Sequence, residues 1–140
     1  LSVVASWHFA RTGRARAAVL AAGSLAGAFV LAHLAKVLTA RPRPDLFDPV
    51  GLLPADLSFP SAHTAQITAV AIAVALILRT QRVWLLAVIA IGAVAASRMY
   101  LQVHFPTDVA AGFLLGACWT LGLHALLYPV PQPDNTGGGR

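Results

Sequence analysis

Glutamate is missing altogether from this chain of 140 residues, and five aspartates are its only acids. Three of them, Asp45, Asp48 and Asp56, sit in one stretch with no histidine nearby, so an acidic two-metal cluster is hard to assemble. Cysteine occurs once, as Cys118, which excludes a disulfide framework or a cysteine metal site within one chain. Its expected role is that of a small buried hydrophobe. Charge is scarce as well: 11% of the residues are charged against 58% hydrophobic, far from the balance of a soluble domain. No internal repeat and no internal domain boundary is visible.

What the chain has in quantity is long apolar sequence. Four segments read as membrane spans: Ala17 to Ala35, Ala62 to Leu78, Val83 to about Leu101, and Val109 to Tyr128. A span of about 19 residues at about 1.5 Å each reaches roughly 28 Å, close to the ~30 Å of bilayer hydrocarbon. The expected fold is therefore all-α, a polytopic transmembrane helix bundle with at least four spans. Residues 1–128 are expected to form one transmembrane domain, with 1–10 ("LSVVASWHFA") as the end of a preceding helix rather than a signal peptide, and 129–140 as a disordered Pro- and Gly-rich tail. Trp84, Tyr100 and Tyr128 near the span ends fit an interfacial belt, and Gly112 and Gly116 predict close helix packing.

A net charge of +5 and a pI near 10.7 raise the question of nucleic acid, but the basic residues form no face that could follow a phosphate backbone. Arg11, Arg14 and Arg16 precede the first span, and Arg79 and Arg82 sit in the link between the second and third. If these ends are cytoplasmic, in keeping with the positive-inside rule, then Lys36, Arg41, Arg43 and Arg98 gather on the opposite face. Cations placed against that rule need a reason of their own.

Three polar clusters supply one. "KVLTARPRPD" closes the first span, "SFPSAH" opens the second, and "SRMYLQVHFPTDVAAG" leaves the third and enters the fourth. Together they bring Lys36, Arg43, Ser61, His63, Arg98, His104 and Asp108 to one membrane face, which makes an anion site containing two histidines. Arginine and lysine hold phosphate oxygens through charge-assisted hydrogen bonds. "PSAH" opens a helix, whose unpaired N–H groups favour an anion, and Pro106 suits the first turn of another. Asp108 lies within reach of His104; a carboxylate that accepts one ring N–H leaves the other nitrogen free to attack.

Lys36 followed after six residues by Arg43-Pro44, then Pro60-Ser61-Ala62-His63, then Ser97-Arg98, His104 and Asp108, resembles the three-part signature of the type 2 phosphatidic acid phosphatase (PAP2) superfamily. The resemblance runs from about residue 30 to 125. It departs from the pattern at Ala62, where the family usually has glycine. An alanine there would loosen the site if the backbone needed positive φ, and would be harmless in a helix. The resemblance implies a six-span fold and a metal-independent lipid phosphatase that needs no cofactor and works through a phosphohistidine. Carried over by position, His104 is the nucleophile, Asp108 its orienting partner and His63 the general acid; Lys36, Arg43, Ser61 and Arg98 bind the phosphoryl group. It further implies a lipid phosphate or diphosphate as substrate, reached from the surrounding membrane lipids, at a site facing the periplasm or extracellular side of a bacterial inner membrane. The Ala-rich spans look bacterial, which puts undecaprenyl or another polyprenyl diphosphate first, with phosphatidate and phosphatidylglycerophosphate as close alternatives.

Each residue also has a plainer explanation when taken alone. Lys36 and Arg98 can snorkel to headgroups, and His63 can be a hydrogen-bonded helix-start residue. His33 and His124 lie inside spans and off the signature, where an interhelical hydrogen bond is expected, His33 also being placed to tune Lys36. Arg41 and Asp45 are also off the signature, and a headgroup contact or a local ion pair is expected of them. Two readings from other classes compete. Vanadate-dependent haloperoxidases have a similar anion site but are soluble. A non-enzymatic membrane protein that binds lipid headgroups would have no need of an oriented histidine.

Overall fold

A computed structural model describes Trp7, residues 14–44 and residues 57–129. Four helices account for most of them: α1 (Ala15–Thr39), α2 (Ala62–Leu78), α3 (Gln81–Tyr100) and α4 (Pro106–Leu127). Their ends follow from local chemistry. α1 stops at Ala40, whose left-handed backbone (φ 46°) turns its N–H back to Lys36 O at 2.9 Å. The Arg41-Pro42-Arg43-Pro44 run that follows cannot continue a helix, since each proline lacks an N–H and restricts the residue before it. α2 follows a cis Phe59–Pro60 peptide and is capped by Ser61. Arg79, again left-handed, ends α2, and the Thr80 hydroxyl accepts the Val83 N–H at 3.3 Å to start α3. Pro106 occupies the first turn of α4.

Three of these helices, α1, α3 and α4, are long and apolar enough to cross a membrane. α2, expected as a span, has 17 residues and falls just short of the usual length at about 26 Å. Its position explains why it can be short. α2 packs against α1, α3 and α4, so it is sheltered by the others, while α1 also packs on α4 and α3 rests almost wholly on α2. The outer surface is apolar: Leu85, Leu86, Val88 and Ile89 of α3 are all exposed, as suits a helix that faces lipid.

The interior is built from small residues. Ala28 and Ala32 of α1 and Ala65, Ala69 and Ala73 of α2 are fully buried, allowing the close backbone approach on which helix association in lipid depends. Gly112 and Gly116 carry the α4–α2 contact, as their spacing predicts: a Cβ on Gly112 would stand 2.5 Å from Ser61 O, and one on Gly116 would run into Ala65 O. On the α1 side, Trp119 lies across Gly27 and donates its indole N–H to Gly23 O at 2.9 Å.

Several expectations need correction. Cys118 is exposed on α4 beside an apolar groove rather than buried. His33 bonds its own helix, Nδ1 to Phe29 O at 2.8 Å, rather than a neighbouring one. His124 stacks on Tyr128 one turn on, with ring centroids 4.9 Å apart. Asp45, the expected helix upstream and the tail beyond Pro129 lie outside the described residues, Trp7 excepted.

Candidate active site

The first polar segment is stitched to the second by hydrogen bonds. Ser58 N–H donates to Arg41 O at 2.9 Å, Ser58 Oγ to Pro42 O at 2.8 Å, and Thr39 Oγ1 to Phe59 O at 3.0 Å. Lys36, buried near the end of α1, donates to Leu57 O. The third segment joins through α4: Ser61 N–H donates to Asp108 O at 2.9 Å. All three clusters thus meet at the N-terminus of α2.

The Ser61 hydroxyl oxygen caps its own helix. It accepts the Thr64 hydroxyl at 3.0 Å and the Thr64 N–H at 3.4 Å, and the side chain is fully buried. Asp108, also fully buried, is used on both oxygens. Oδ2 accepts the Phe105 N–H at 2.9 Å, one half of a capping box, and lies 3.5 Å from His104 Nδ1. Oδ1 accepts Arg41 Nη1 at 2.8 Å, and the same nitrogen reaches Thr107 Oγ1 at 2.8 Å. Arg41 therefore makes a long-range ion pair in place of the local or headgroup contact expected of it, with its guanidinium 4.2 Å over the Phe105 ring.

In front of His104 is a cavity of about 260 Å³. Five of the seven expected residues line it: Lys36, Arg43, His63, Arg98 and His104. Ser61 and Asp108 stand behind the wall. Arg43 Nη1 donates to Val103 O at 2.6 Å and lies 3.5 Å from His104 Nε2, while Arg98 Nε donates to Ser97 Oγ at 3.2 Å. Phe29, His33 and Gln66 also line the cavity. A larger cavity, about 560 Å³, opens at the opposite end of the bundle beside Arg14, Arg16 and Arg79, and none of the signature residues reaches it. Among the described residues no three His, Cys, Asp or Glu side chains gather as a metal site would require.

The model of the PAP2 superfamily matches this chain over residues 17–131, which takes in every residue of the cavity. The chain belongs to the PAP2 superfamily. It is 41% identical over 122 residues to the decaprenylphosphoryl-5-phosphoribose phosphatase of Mycobacterium tuberculosis, covering 82% of this chain and 60% of that protein. It is 38% identical over 125 residues to the protein of the same name in Mycolicibacterium smegmatis, covering 75% of this chain and 66% of that one. The undecaprenyl-diphosphatase of Sulfolobus acidocaldarius is 38% identical over 94 residues, or 64% of this chain and 45% of the relative. The chain thus spans about half to two thirds of the length of these relatives. No solved structure gives a significant match. With three apolar helices of spanning length and this family, the protein is an integral membrane protein.

The departure from the PAP2 pattern at Ala62 is harmless to the backbone. Ala62 is the first residue of α2, and among the described residues the non-glycine positions with positive φ are Ala40, Arg79 and Gln102. The electrostatics of the PAP2 site fall on His104, which lies between α3 and α4. Burial lowers its pKa from 6.5 to about 4, with Arg43 and Lys36 adding to the effect; Asp108 and the backbone of Ser58 act the other way. The imidazole is thus neutral at physiological pH, with the Nε2 lone pair turned toward the Arg43 guanidinium.

Arg41 and Gln66 are the site residues that sequence reasoning missed. For Arg41 a signal existed, since a buried aspartate needs a cation and "RPRP" offers two. Gln66 was also open to view, as an amide one turn after His63 in an otherwise Ala-, Ile- and Val-rich helix.

Proposed function

We propose that the protein is a metal-independent lipid phosphatase that removes a terminal phosphate from a polyprenyl-linked substrate through a phosphohistidine on His104. The observation that carries this reading is the convergence of Lys36, Arg43, His63 and Arg98 with His104 on one cavity, with Asp108 behind the histidine. Nδ1 of His104 points toward Asp108, which leaves Nε2 as the attacking atom.

The steps are these. Nε2 forms a bond to phosphorus as the bond from phosphorus to the leaving oxygen breaks, and His63 gives that oxygen its proton. Lys36, Arg43 and Arg98 hold the equatorial oxygens, whose charge is stabilised in the transition state. Water then attacks phosphorus, passing a proton to His63, and the N–P bond breaks to release inorganic phosphate. Both histidines return to their starting states. Ser61 fixes the start of α2 through the two hydrogen bonds its hydroxyl oxygen accepts, which leaves its own O–H as a donor for the phosphoryl group.

The relatives' names give two kinds of substrate, a polyprenyl diphosphate and a polyprenylphosphoryl pentose phosphate. In both, the tails stay in the membrane while a phosphate reaches the bilayer surface. The site lies at the opposite end of the bundle from Arg14, Arg16, Arg79 and Arg82, which supports an active site on the non-cytoplasmic face of the inner membrane.

The test is phosphate release in EDTA, in detergent and in sealed right-side-out vesicles, comparing the protein with His104→Ala. Release by the parent alone, with acid-labile phosphate on the protein when turnover is quenched in base, is the expected result. Activity in His104→Ala, or activity that vanishes in EDTA and returns with Mg²⁺, overturns the mechanism. Release only after the vesicles are permeabilised reverses the orientation.

A further inference from the structure

The cavity that holds the cations is lined also by Phe29, His33 and Gln66. His33 is one turn before Lys36 on α1, and Gln66 is one turn after His63 on α2. α1 runs toward the site and α2 runs away from it, so both residues lie a turn deeper in the membrane than their charged neighbours.

The polar atoms of this wall have defined capacities. His33 Nδ1 is 2.8 Å from Phe29 O, and a carbonyl oxygen can only accept, so Nδ1 carries the hydrogen. In the neutral ring Nε2 is then an acceptor, in an imidazole further held by the Phe29 ring at 4.1 Å between centroids. Gln66 is half-buried, and its side-chain amide makes no hydrogen bond with any described residue. An unpaired amide inside an apolar helix costs free energy unless something polar meets it, and this one borders the cavity.

We infer that His33 and Gln66 form a subsite for hydroxyl groups on the leaving group, so that a sugar or other polyol links the scissile phosphate to the lipid. This rests on the phosphatase reading above and extends it to the substrate class. With the phosphoryl group among Lys36, Arg43, Arg98 and His104, a lipid whose tail returns to the membrane carries its leaving group past His63 and onto this wall. A hydroxyl can donate to His33 Nε2 and exchange hydrogen bonds with the Gln66 amide. The second phosphate of an ionised diphosphate has no hydroxyl to offer either group, so only a hydroxylated leaving group makes full use of this wall.

The experiment removes the hydroxyls from the substrate and the partners from the protein in turn. Phosphate release is followed from a short-chain polyprenylphosphoryl pentose 5-phosphate and from its analogue lacking the two secondary hydroxyls, with the parent protein, His33→Phe and Gln66→Leu. In the parent, loss of the hydroxyls is expected to lower kcat/KM by about tenfold or more, the size of one or two lost hydrogen bonds. In each variant the same loss should cost less than about a third as much, because the partner is already gone. Each ratio is taken within one protein, so a general loss of folded enzyme cancels. A deoxy penalty as large in both variants as in the parent overturns the subsite, as does no penalty in the parent. Should the parent release no phosphate from either compound or from polyprenyl diphosphate, the phosphatase reading itself falls and the subsite with it.

Discussion

Arg41 Nη1 lies 2.8 Å from Asp108 Oδ1 while Asp108 Oδ2 faces His104 Nδ1 at 3.5 Å, so the aspartate behind the histidine is itself held by an arginine 67 residues away. Asp108 is fully buried and Arg41 is 37% exposed, so the pair is a partly solvated clamp rather than a deep ion pair. Its contribution is orientation: with Oδ1 fixed and Oδ2 tied to the Phe105 N–H, the carboxylate cannot swing away from the imidazole.

Arg41→Met keeps a long apolar stem against Phe105 and removes the charge. Losing one charge-assisted hydrogen bond is worth about 1.5–3 kcal/mol, so kcat should fall roughly tenfold to a hundredfold while KM changes little. Arg43→Met should instead weaken substrate binding, because Arg43 faces the cavity. Steady-state kinetics of the two variants on one lipid phosphate separate these roles; an unchanged kcat in Arg41→Met would remove Arg41 from the machinery.

The lowered pKa of His104 sets a second expectation, with a definite sign. The folded value near 4 lies below the ordinary 6.5, so the native state takes up its proton later than the unfolded chain. Stability from this group is present above pH 6.5 and is lost progressively as the pH falls toward 4. The nucleophile stays neutral over the same window. After burial, Arg43 is the next cause of the shift, so Arg43→Met should move the His104 titration to higher pH, whereas Asp108→Asn, which removes an opposing charge, should move it lower. Imidazole ¹⁵N shifts followed through a pH titration check both directions, and movement of the two variants the same way would contradict the assigned causes.

The spacing of the three polar clusters was legible in the sequence because each cluster marks a helix end, and helix ends on one membrane face must be neighbours. The seven residues meet at the start of α2 for that reason. What the sequence did not reveal depended on where individual side-chain atoms turn. That the Ser61 hydroxyl oxygen also caps α2, accepting the Thr64 N–H, is one such detail. Arg41 was masked by the regular "RPRP" run, and its partner becomes visible only when the start of α4 is folded against the end of α1. The protection that lets α2 be short, and the exposure of Cys118, are properties of packing order, which hydropathy alone does not encode.

The α4–α2 contact offers the last test, since it holds the two halves of the site together without touching substrate. A Cβ on Gly112 would stand 2.5 Å from Ser61 O and 3.2 Å from Thr64 Cβ, closer than backbone and cap can yield. Gly112→Ala must therefore push α4 outward, and that movement stretches the Ser61 N–H to Asp108 O bond of 2.9 Å, which registers Asp108 and His104 on α2. Overpacking of this kind costs about 1–3 kcal/mol, so the detergent-solubilised protein should unfold at lower temperature and lose activity by more than its folded fraction explains. Gly122→Ala is the control on the same helix: a Cβ there meets nothing within 4 Å, and alanine favours the helix by up to about 1 kcal/mol over glycine. It should leave the unfolding temperature unchanged or raised and activity intact. Equal behaviour of the two variants would show that the close approach at Gly112 does not set the geometry of the site.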